Sequence, residues 1–412
     1  MGWLGIIADD ITGATDVASA VRAAGHHVVL TIGVPDGPLP DADAWVIALT
    51  TRQDTPELAV GRSVRAARAL LAAGADVLYQ KYCSTFDSTE RGNIGPVGDA
   101  LLALASEDGG VGATQVHTPA TPRVGRTAVG GDLFVLGVPL ASSPMKDHPL
   151  TPMRDSSLER LMAAQARRPV ALVEASGRPP AGHVFVDATT EGDLDWVASW
   201  ALGLGRWPQV VVGGAAGLAG ALARSVGPRA GGVAHPLPRA EGGPGRRLVV
   251  AGSLSARTRE QVAAFAGPVV RVGAEAVMTD PLVVDDALAE VAGHLDDDPE
   301  RPVLVTSVVE PARATADQSR WGVEPLARAF EAVLGEVARR GVRSLGVTHV
   351  LCAGGETSGA VASALGLTSL VVGDDVAPGV PWTVTPSGLA VLFKSGNFGE
   401  PDLFTTAWEA AP

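Results

Sequence analysis

Short apolar runs alternate with Ala- and Leu-rich helical periods from the start of this chain, and that alternation limits the folds open to it. Residues 3–8 (WLGIIA) read as a buried strand, after which Ala14, Val17, Ala18 and Val21 recur at helical spacing, with Asp10 or Thr12 available as N-cap. Strand patterns over 27–33 and 45–50 follow, then a helix over 56–73, a strand over 76–82 and a helix over 96–105. Such a βαβα rhythm predicts a mostly parallel sheet with covered faces. A second series begins later: strand 248–251, helix 257–265, strand 302–308, helix 325–340, strand 348–352, helix 357–365, and strands 369–372 and 389–394. Between the two, residues 227–246 (GPRAGGVAHPLPRAEGGPGR) mix Gly, Pro and charge without periodicity, as a linker does. A chain of 412 residues exceeds what one core usually organises. The expected architecture is therefore two α/β domains, residues 1–226 and 247–412, joined by 227–246, with an active-site cleft between them.

The net charge of −13 argues against a nucleic-acid partner, which calls for a basic face, but leaves room for local basic pockets. The opening MGWLGIIADD has no basic n-region and reads as a first strand, and no window approaches about 18 uninterrupted apolar residues. A cytoplasmic protein without membrane contact is expected, with its oligomeric state, homo-oligomer included, left open. Two cysteines, Cys83 and Cys352, cannot build a disulfide framework and match no zinc spacing. The eight histidines are scattered, with no HExxH, and there is no GxSxG elbow. No dedicated metal cage is expected.

Two segments of the first half carry chemistry. Residues 79–97 (YQKYCSTFDSTERGNIGPV) place Lys81, the hydroxyls of Ser84, Thr85 and Ser88, Asp87 and Arg91 after an apolar strand. The two cations can pair with carboxylate or phosphate oxygens and the hydroxyls with sugar-like oxygens, although a solvated polar loop is the plainer alternative. Residues 8–16 (ADDITGATD) set Asp9 and Asp10 where the first strand ends, followed by Thr12, Gly13 and a helix start. In open α/β sheets ligands bind at this edge, and a carboxylate there can hold or deprotonate a hydroxyl. A plain N-cap would explain Asp10 equally well. Arg126 and the stretch 145–149, with Lys146 and His148, add cationic groups, His148 without an assigned catalytic role.

The second half supplies Gly/Ser turns at strand ends. Ala353, Gly354, Gly355, Glu356 and Thr357 lie between a strand and an Ala-rich helix, where glycines let backbone approach phosphate and the helix start offers N–H groups. Residues 252–255, with Ser253 and Ser255, and 394–399, with Gly396, repeat that chemistry. No GxxxxGK[ST] and no GxGxxG occurs, so neither a P-loop nor a standard dinucleotide fingerprint is present. On residues alone, a ligand-sensing protein and a dehydrogenase stay open beside a phosphotransferase.

The segments ADDITGATD, KYCSTFDSTERGNIGPV, GRT with a following HPLTPM, GSLSART, AGGETSGAV, APGVPW and LFKSGNFG together resemble the four-carbon acid sugar kinases, over nearly the whole chain. The form KYCSTFDST with GGETSGAV and KSGNFG is similar to the 3-oxo-tetronate kinase branch. That resemblance implies an ATP-dependent kinase phosphorylating the 4-hydroxyl of 3-oxo-tetronate (3-dehydro-L-threonate or 3-dehydro-D-erythronate). Threonate or erythronate would be the substrate in a related branch. It implies an acid-sugar-binding N-terminal domain and a nucleotide-binding C-terminal domain. ATP contacts would fall on Ser253 or Ser255, on 353–356 and on Gly396, with Mg²⁺ carried in on the nucleotide. Asp10, Lys81 and Arg91 are then the expected catalytic groups, and Asp9, Thr12, Gly13, Ser84, Thr85, Asp87, Ser88 and Arg126 the substrate contacts. One departure is Ala216 in GGAAGLA, where a Ser is expected.

Overall fold

The computed structural model describes residues 3–147, 151–228, 237 and 245–412. Most of the expected linker 227–246, and His148, lie outside the described residues. The chain divides into two compact units, Met1–His235 and Pro236–Pro412.

The first unit contains β1 (Leu4–Ala8), β2 (Val28–Ile32), β3 (Ala44–Ala48), β4 (Val77–Lys81), β5 (Thr114–Thr118), β6 (Arg126–Val129), β7 (Asp132–Val135), β8 (Val138–Pro139), β9 (Val170–Leu172), β10 (Gly182–Phe185) and β11 (Val210–Gly214). Eight of these run parallel in the order β2-β3-β1-β4-β11-β5-β10-β9, while β6, β7 and β8 form a separate antiparallel sheet. Helices Pro56–Ala72 and Ile94–Glu107 cover one face, burying Leu70, Leu101 and Leu102 against Trp45, Ile47, Leu78 and Val211. Helices Ile11–Ala23, Glu191–Leu204 and Ala216–Val226 pack on one another. Strand order reverses at β1, flanked by β3 and β4, which makes its carboxyl end a crevice in the sense of doubly wound sheets.

The second unit contains β12 (Arg246–Ala251), β13 (Val269–Arg271), β14 (Val303–Thr306), β15 (Val347–Ala353), β16 (Ser369–Ala377), β17 (Val380–Val384) and β18 (Ala390–Lys394), in the order β13-β14-β12-β15-β18-β17-β16. Only β17 is antiparallel to its neighbours among these described pairs. Both units are thus α/β with mostly parallel strands, as the alternation predicts.

Several boundaries differ from the sequence expectation, two of them for one physical reason. Helices expected from Pro96 and Pro325 begin two residues earlier, at Ile94 and Val323. A proline is tolerated anywhere in the first turn, because those N–H groups have no intrahelical partner. The helix expected from Thr357 likewise starts at Gly355, with Gly354 as N-cap.

Candidate active site

Parallel pairing builds the first half of the site. In the β1–β4 ladder Ala8 lies opposite Lys81, and in the β1–β3 ladder it lies opposite Ala48. Three strand ends therefore finish level, and the residues just past them converge. Asp10 caps helix Ile11–Ala23: its Oδ1 accepts from the Gly13 N–H at 2.9 Å and its Oδ2 from the Thr12 hydroxyl at 2.6 Å. Arg52, four residues beyond β3, donates through Nε and Nη2 to both oxygens of Asp9 at 2.9 and 2.8 Å, and through Nη2 to Asp10 Oδ1 at 2.8 Å. Asn93 fixes the turn that presents Arg52 by donating to the carbonyls of Thr51, Arg52 and Asp54.

Lys81 is buried, and its ammonium donates to the Tyr82 carbonyl at 3.0 Å. A Cβ built on Gly13 would sit 2.3 Å from Asp10 Oδ1 and 2.9 Å from Lys81 Nζ, so glycine there leaves room for the acid and the cation together. Burial alone would raise the Asp10 carboxyl, but Arg52, Lys81, the Thr12 hydroxyl and the Gly13 N–H outweigh it and hold the group below the usual carboxylate range. Arg52 resists burial for the same reason: the two aspartates raise it well above its ordinary value. Asp10 is thus the N-cap, as its sequence position allows, and it also lies within this cluster of charged groups.

The loop after β4 is tied to its surroundings. Thr85 shares a hydrogen bond with the Cys83 thiol at 3.1 Å, Asp87 accepts from Thr151, and Ser88 accepts from Gln165 at 3.0 Å. Ser84 is half-buried beside them. Phe86 is fully buried with φ +48°, a left-handed backbone that a bulky residue adopts only where packing enforces it. Arg126 directs Nη1 to the Val124 carbonyl, while its buried Nε has no partner among the described residues. Arg91 is exposed, and no described contact brings it to Asp10 or Lys81. It is the expected catalytic residue that the structure leaves apart.

Beneath this loop runs a buried chain of side chains far apart in sequence. Tyr82 Oη lies 3.1 Å from His117 Nδ1, His117 Nε2 lies 3.1 Å from His183 Nδ1, and His183 Nε2 lies 3.1 Å from Asp99 Oδ1. Burial pushes the Tyr82 phenol well up, and burial together with His183 pushes the His117 imidazole well down, so both stay neutral. Burial would raise Asp99, but hydrogen bonds from His183 and the N–H groups of Arg167 and Arg168 hold it low. With an ionised Asp99 as final acceptor, one assignment satisfies every group: Tyr82 donates to His117, His117 to His183, and His183 to Asp99.

In the second unit, the register sets Ala251 opposite Ala353 and Ala353 opposite Lys394. The turns 252–255, 354–357 and 395–396 therefore follow neighbouring parallel strands and nest against each other. Ser255 caps helix Ala256–Ala264 and donates its hydroxyl to the Gly396 carbonyl at 2.6 Å. A Cβ on Gly396 would lie 2.4 Å from Ser253 Oγ, and Gly354 combines φ +123° with a Cβ position 3.0 Å from that of Ser253. Thr357 is buried behind the turn, the adjacent Ser358 hydroxyl is buried without a partner among the described residues, and Glu356 is exposed. Gly355 opens the helix, so its N–H is among those with no intrahelical acceptor. The three turns form one backbone- and hydroxyl-lined cradle of the kind that accepts phosphate oxygens. Among the described residues no group of three or more His, Cys, Asp or Glu side chains gathers as metal ligands, and no helix is long and apolar enough to cross a membrane.

Arg52, Asn93 and the His117–His183 pair are the members that sequence reading missed. Arg52 had a usable signal, since it follows the third strand of a βαβ series at the same edge as Asp9. Ala216 starts a helix whose N-cap, Ala215, provides no side-chain hydrogen bond, and both are fully buried.

Comparison with known proteins follows the same division. Residues 4–222 match the model of a sugar-binding N-terminal domain and residues 248–404 that of a nucleotide-binding C-terminal domain. A 3-oxo-tetronate kinase of Methylobacterium radiotolerans is 40% identical, covering 98% of each chain. One from Burkholderia multivorans is 41% identical, covering 99% of this chain and 97% of that one. Among solved structures, a Haemophilus influenzae protein matches with a TM-score of 0.76 at 36% identity, over 98% of this chain and 99% of that one. A Salmonella typhimurium LT2 protein described as a tRNA synthase matches with a TM-score of 0.86 at 34% identity, over the full length of both.

Proposed function

Because the chain belongs to the four-carbon acid sugar kinases, in the 3-oxo-tetronate kinase branch, we propose that it transfers the γ-phosphoryl group of ATP to the 4-hydroxyl of 3-oxo-tetronate. The observation that carries this reading is the convergence of Asp10, Arg52 and Lys81 at the reversal point of the first sheet. A carboxylate held among cations suits an acidic, hydroxyl-rich substrate. The net charge of −13 speaks against a tRNA ligand.

Phosphoryl transfer asks a protein mainly to align the acceptor oxygen and to balance charge. Asp10 takes the acceptor role toward the substrate hydroxyl. Asp9 is engaged at both oxygens by Arg52, whereas Asp10 Oδ2 accepts only the Thr12 hydroxyl among the described residues and keeps a lone pair for the substrate. Held low, the Asp10 carboxylate orients the hydroxyl and receives its proton only as the bond to phosphorus forms. Lys81 and Arg126 face the substrate carboxylate and the transferring group, and the unpartnered Nε of Arg126 is a donor in reserve for an oxyanion. Thr12, Gly13, Ser84, Thr85, Asp87 and Ser88 line the sugar side, and Arg91 contributes long-range attraction from an exposed position. On the nucleotide side, Ser253, Ser255, Ala353, Gly354, Gly355, Glu356, Thr357 and Gly396 form the phosphate cradle. Mg²⁺, carried in on ATP, would neutralise phosphate charge at that cradle. The setting is cytoplasmic, where ATP is available.

The test is substrate-dependent ADP formation with magnesium and ATP. Turnover should be far faster on 3-oxo-tetronate than on threonate or erythronate. Equal rates on all three would sink the choice of branch, and no ADP formation on any would sink the kinase reading.

A further inference from the structure

Lys394, the last residue of β18, is fully buried, and no carboxylate pairs with it among the described residues. Its Nζ donates to Thr258 Oγ1 at 3.1 Å, Gln261 Oε1 at 2.6 Å and the Gly396 carbonyl at 3.1 Å, three neutral acceptors for three protons. The Phe404 ring lies 5.8 Å away on another side. Among charged groups, Arg257 of helix Ala256–Ala264 acts on Lys394; Arg259 and Glu260 lie on the same helix, and Glu400 and Asp402 on the segment that follows β18. Glu260 and Glu400 face Arg257, at 3.1 and 4.0 Å, and Arg259 bonds the Leu254 carbonyl.

A buried ammonium group without a counter-charge is costly, and an apolar residue would fill the space without that cost. The cost has a purpose if the counter-charge arrives with a ligand. Lys394 holds the carbonyl of Gly396, the same carbonyl that Ser255 and Thr258 hold, so its ammonium sits directly behind the phosphate cradle.

We infer that Lys394 is a protonation switch of the nucleotide site, so that nucleotide phosphate entering the cradle is bound together with one proton taken from solvent onto Nζ. This rests on the reading of the cradle as the ATP site. No bond to phosphorus is made or broken in the step; one proton moves from solvent to the amine. Burial, with Arg257 adding repulsion, brings the lysine down to about 7 in the free protein, so near neutrality a nearby anion converts a partly neutral amine into a full cation.

Calorimetric titration with magnesium-bound ATP, at about one pH unit above that value and in buffers of different ionisation enthalpy, measures the protons exchanged. The wild-type protein should take up a substantial fraction of one proton, and its Kd should rise by up to about tenfold per pH unit above neutrality. Lys394→Arg, which stays charged, and Lys394→Met should both bind without proton uptake, the latter more weakly at neutral pH. Proton-neutral binding by the wild type, or uptake undiminished in Lys394→Met, overturns the inference. The wild-type measurement decides by itself should the variants fail to fold. Gly355→Val separates the two levels. Proton-neutral wild-type binding that Gly355→Val abolishes overturns the Lys394 role alone. Binding unchanged in Gly355→Val overturns the nucleotide-site reading and this inference with it.

Discussion

Nη2 of Arg52 donates to Oδ1 of Asp10 at 2.8 Å, and that contact orders the acidic pair. The same guanidinium grips both oxygens of Asp9, so the two adjacent carboxylates are chemically unequal. Arg52→Lys keeps the charge but loses the fork, and should lower stability by about 1–2 kcal/mol together with kcat. With Arg52→Ala, the acid limb of the pH profile should move to higher pH, because one of the groups holding Asp10 low is gone. Urea unfolding and a pH–rate series check both; an acid limb that stays in place would remove Arg52 from the electrostatics of the site.

Asp10→Asn preserves shape and removes the charge. Loss of a general base typically costs about 10²–10⁴ in rate, and kcat should fall within that range with ATP affinity nearly unchanged. Asp9→Asn should act mainly through Arg52 and cost less. Steady-state kinetics on both variants decides, and the reverse ranking would make Asp9 the reacting acid.

Division of labour between the halves is testable with one variant in each. Arg91→Ala should raise KM for the acid sugar, more so at low salt, as befits an exposed cation acting at a distance. Gly355→Val should raise KM for ATP and leave acid-sugar binding intact. Crossed effects, read from two-substrate kinetics, would refute the assignment of ligands to units.

In the nucleotide-free protein, Lys394 should make stability depend on pH. Its folded value of about 7 lies below its ordinary 10.5. Between these two the unfolded chain binds more protons, so this residue's contribution to stability rises as pH rises through that window and is flat below it. Comparing urea midpoints of wild type and Lys394→Met at neutral and alkaline pH isolates that contribution. A difference that does not change with pH would count against a depressed lysine.

The Tyr82–His117–His183–Asp99 chain should behave as a positioning device for the substrate loop. Asp99→Ala leaves the His183 N–H without its acceptor and should cost about 1–3 kcal/mol while raising KM for the acid sugar but not for ATP. Asp99→Asn, which still offers a carbonyl oxygen, should restore part of both. Nitrogen-15 spectra should report a neutral His117 protonated on Nε2, and the other tautomer would reverse the order of donors.

Fold class was legible because strand and helix periods alternate visibly, as in the run from Leu4 to Ala23. Less visible were β5, β9, β10, β11, β13, β17 and the β6–β8 sheet, short segments whose pairing depends on neighbours elsewhere in the chain. The groups that the structure brings together were legible where they cluster in sequence, as at Asp9–Asp10, Lys81 and Gly354–Gly355. The site was not legible at Arg52, His117, His183 or Lys394, which take partners 35 or more positions away, as with His117 and Tyr82 at 35 and Lys394 and Gln261 at 133. Arg91 illustrates the converse. Sequence proximity to Lys81 suggested a shared task, yet a turn-containing loop intervenes and Arg91 is exposed.

The pairing of Ala8 with Lys81 has an evolutionary consequence. Side chains on a strand alternate faces, so inserting one residue within β4 would turn Lys81 away from Asp10, whereas lengthening the loop beyond Cys83 would leave it where it is. On the proposed reading, the reactive groups are addressed by counting along ladders, and the sugar-facing loop by its own contour. A lineage of such chains could then trade one acid substrate for another by rewriting residues 83–92, with Asn93 kept to hold the Arg52 turn and the transfer chemistry inherited unchanged.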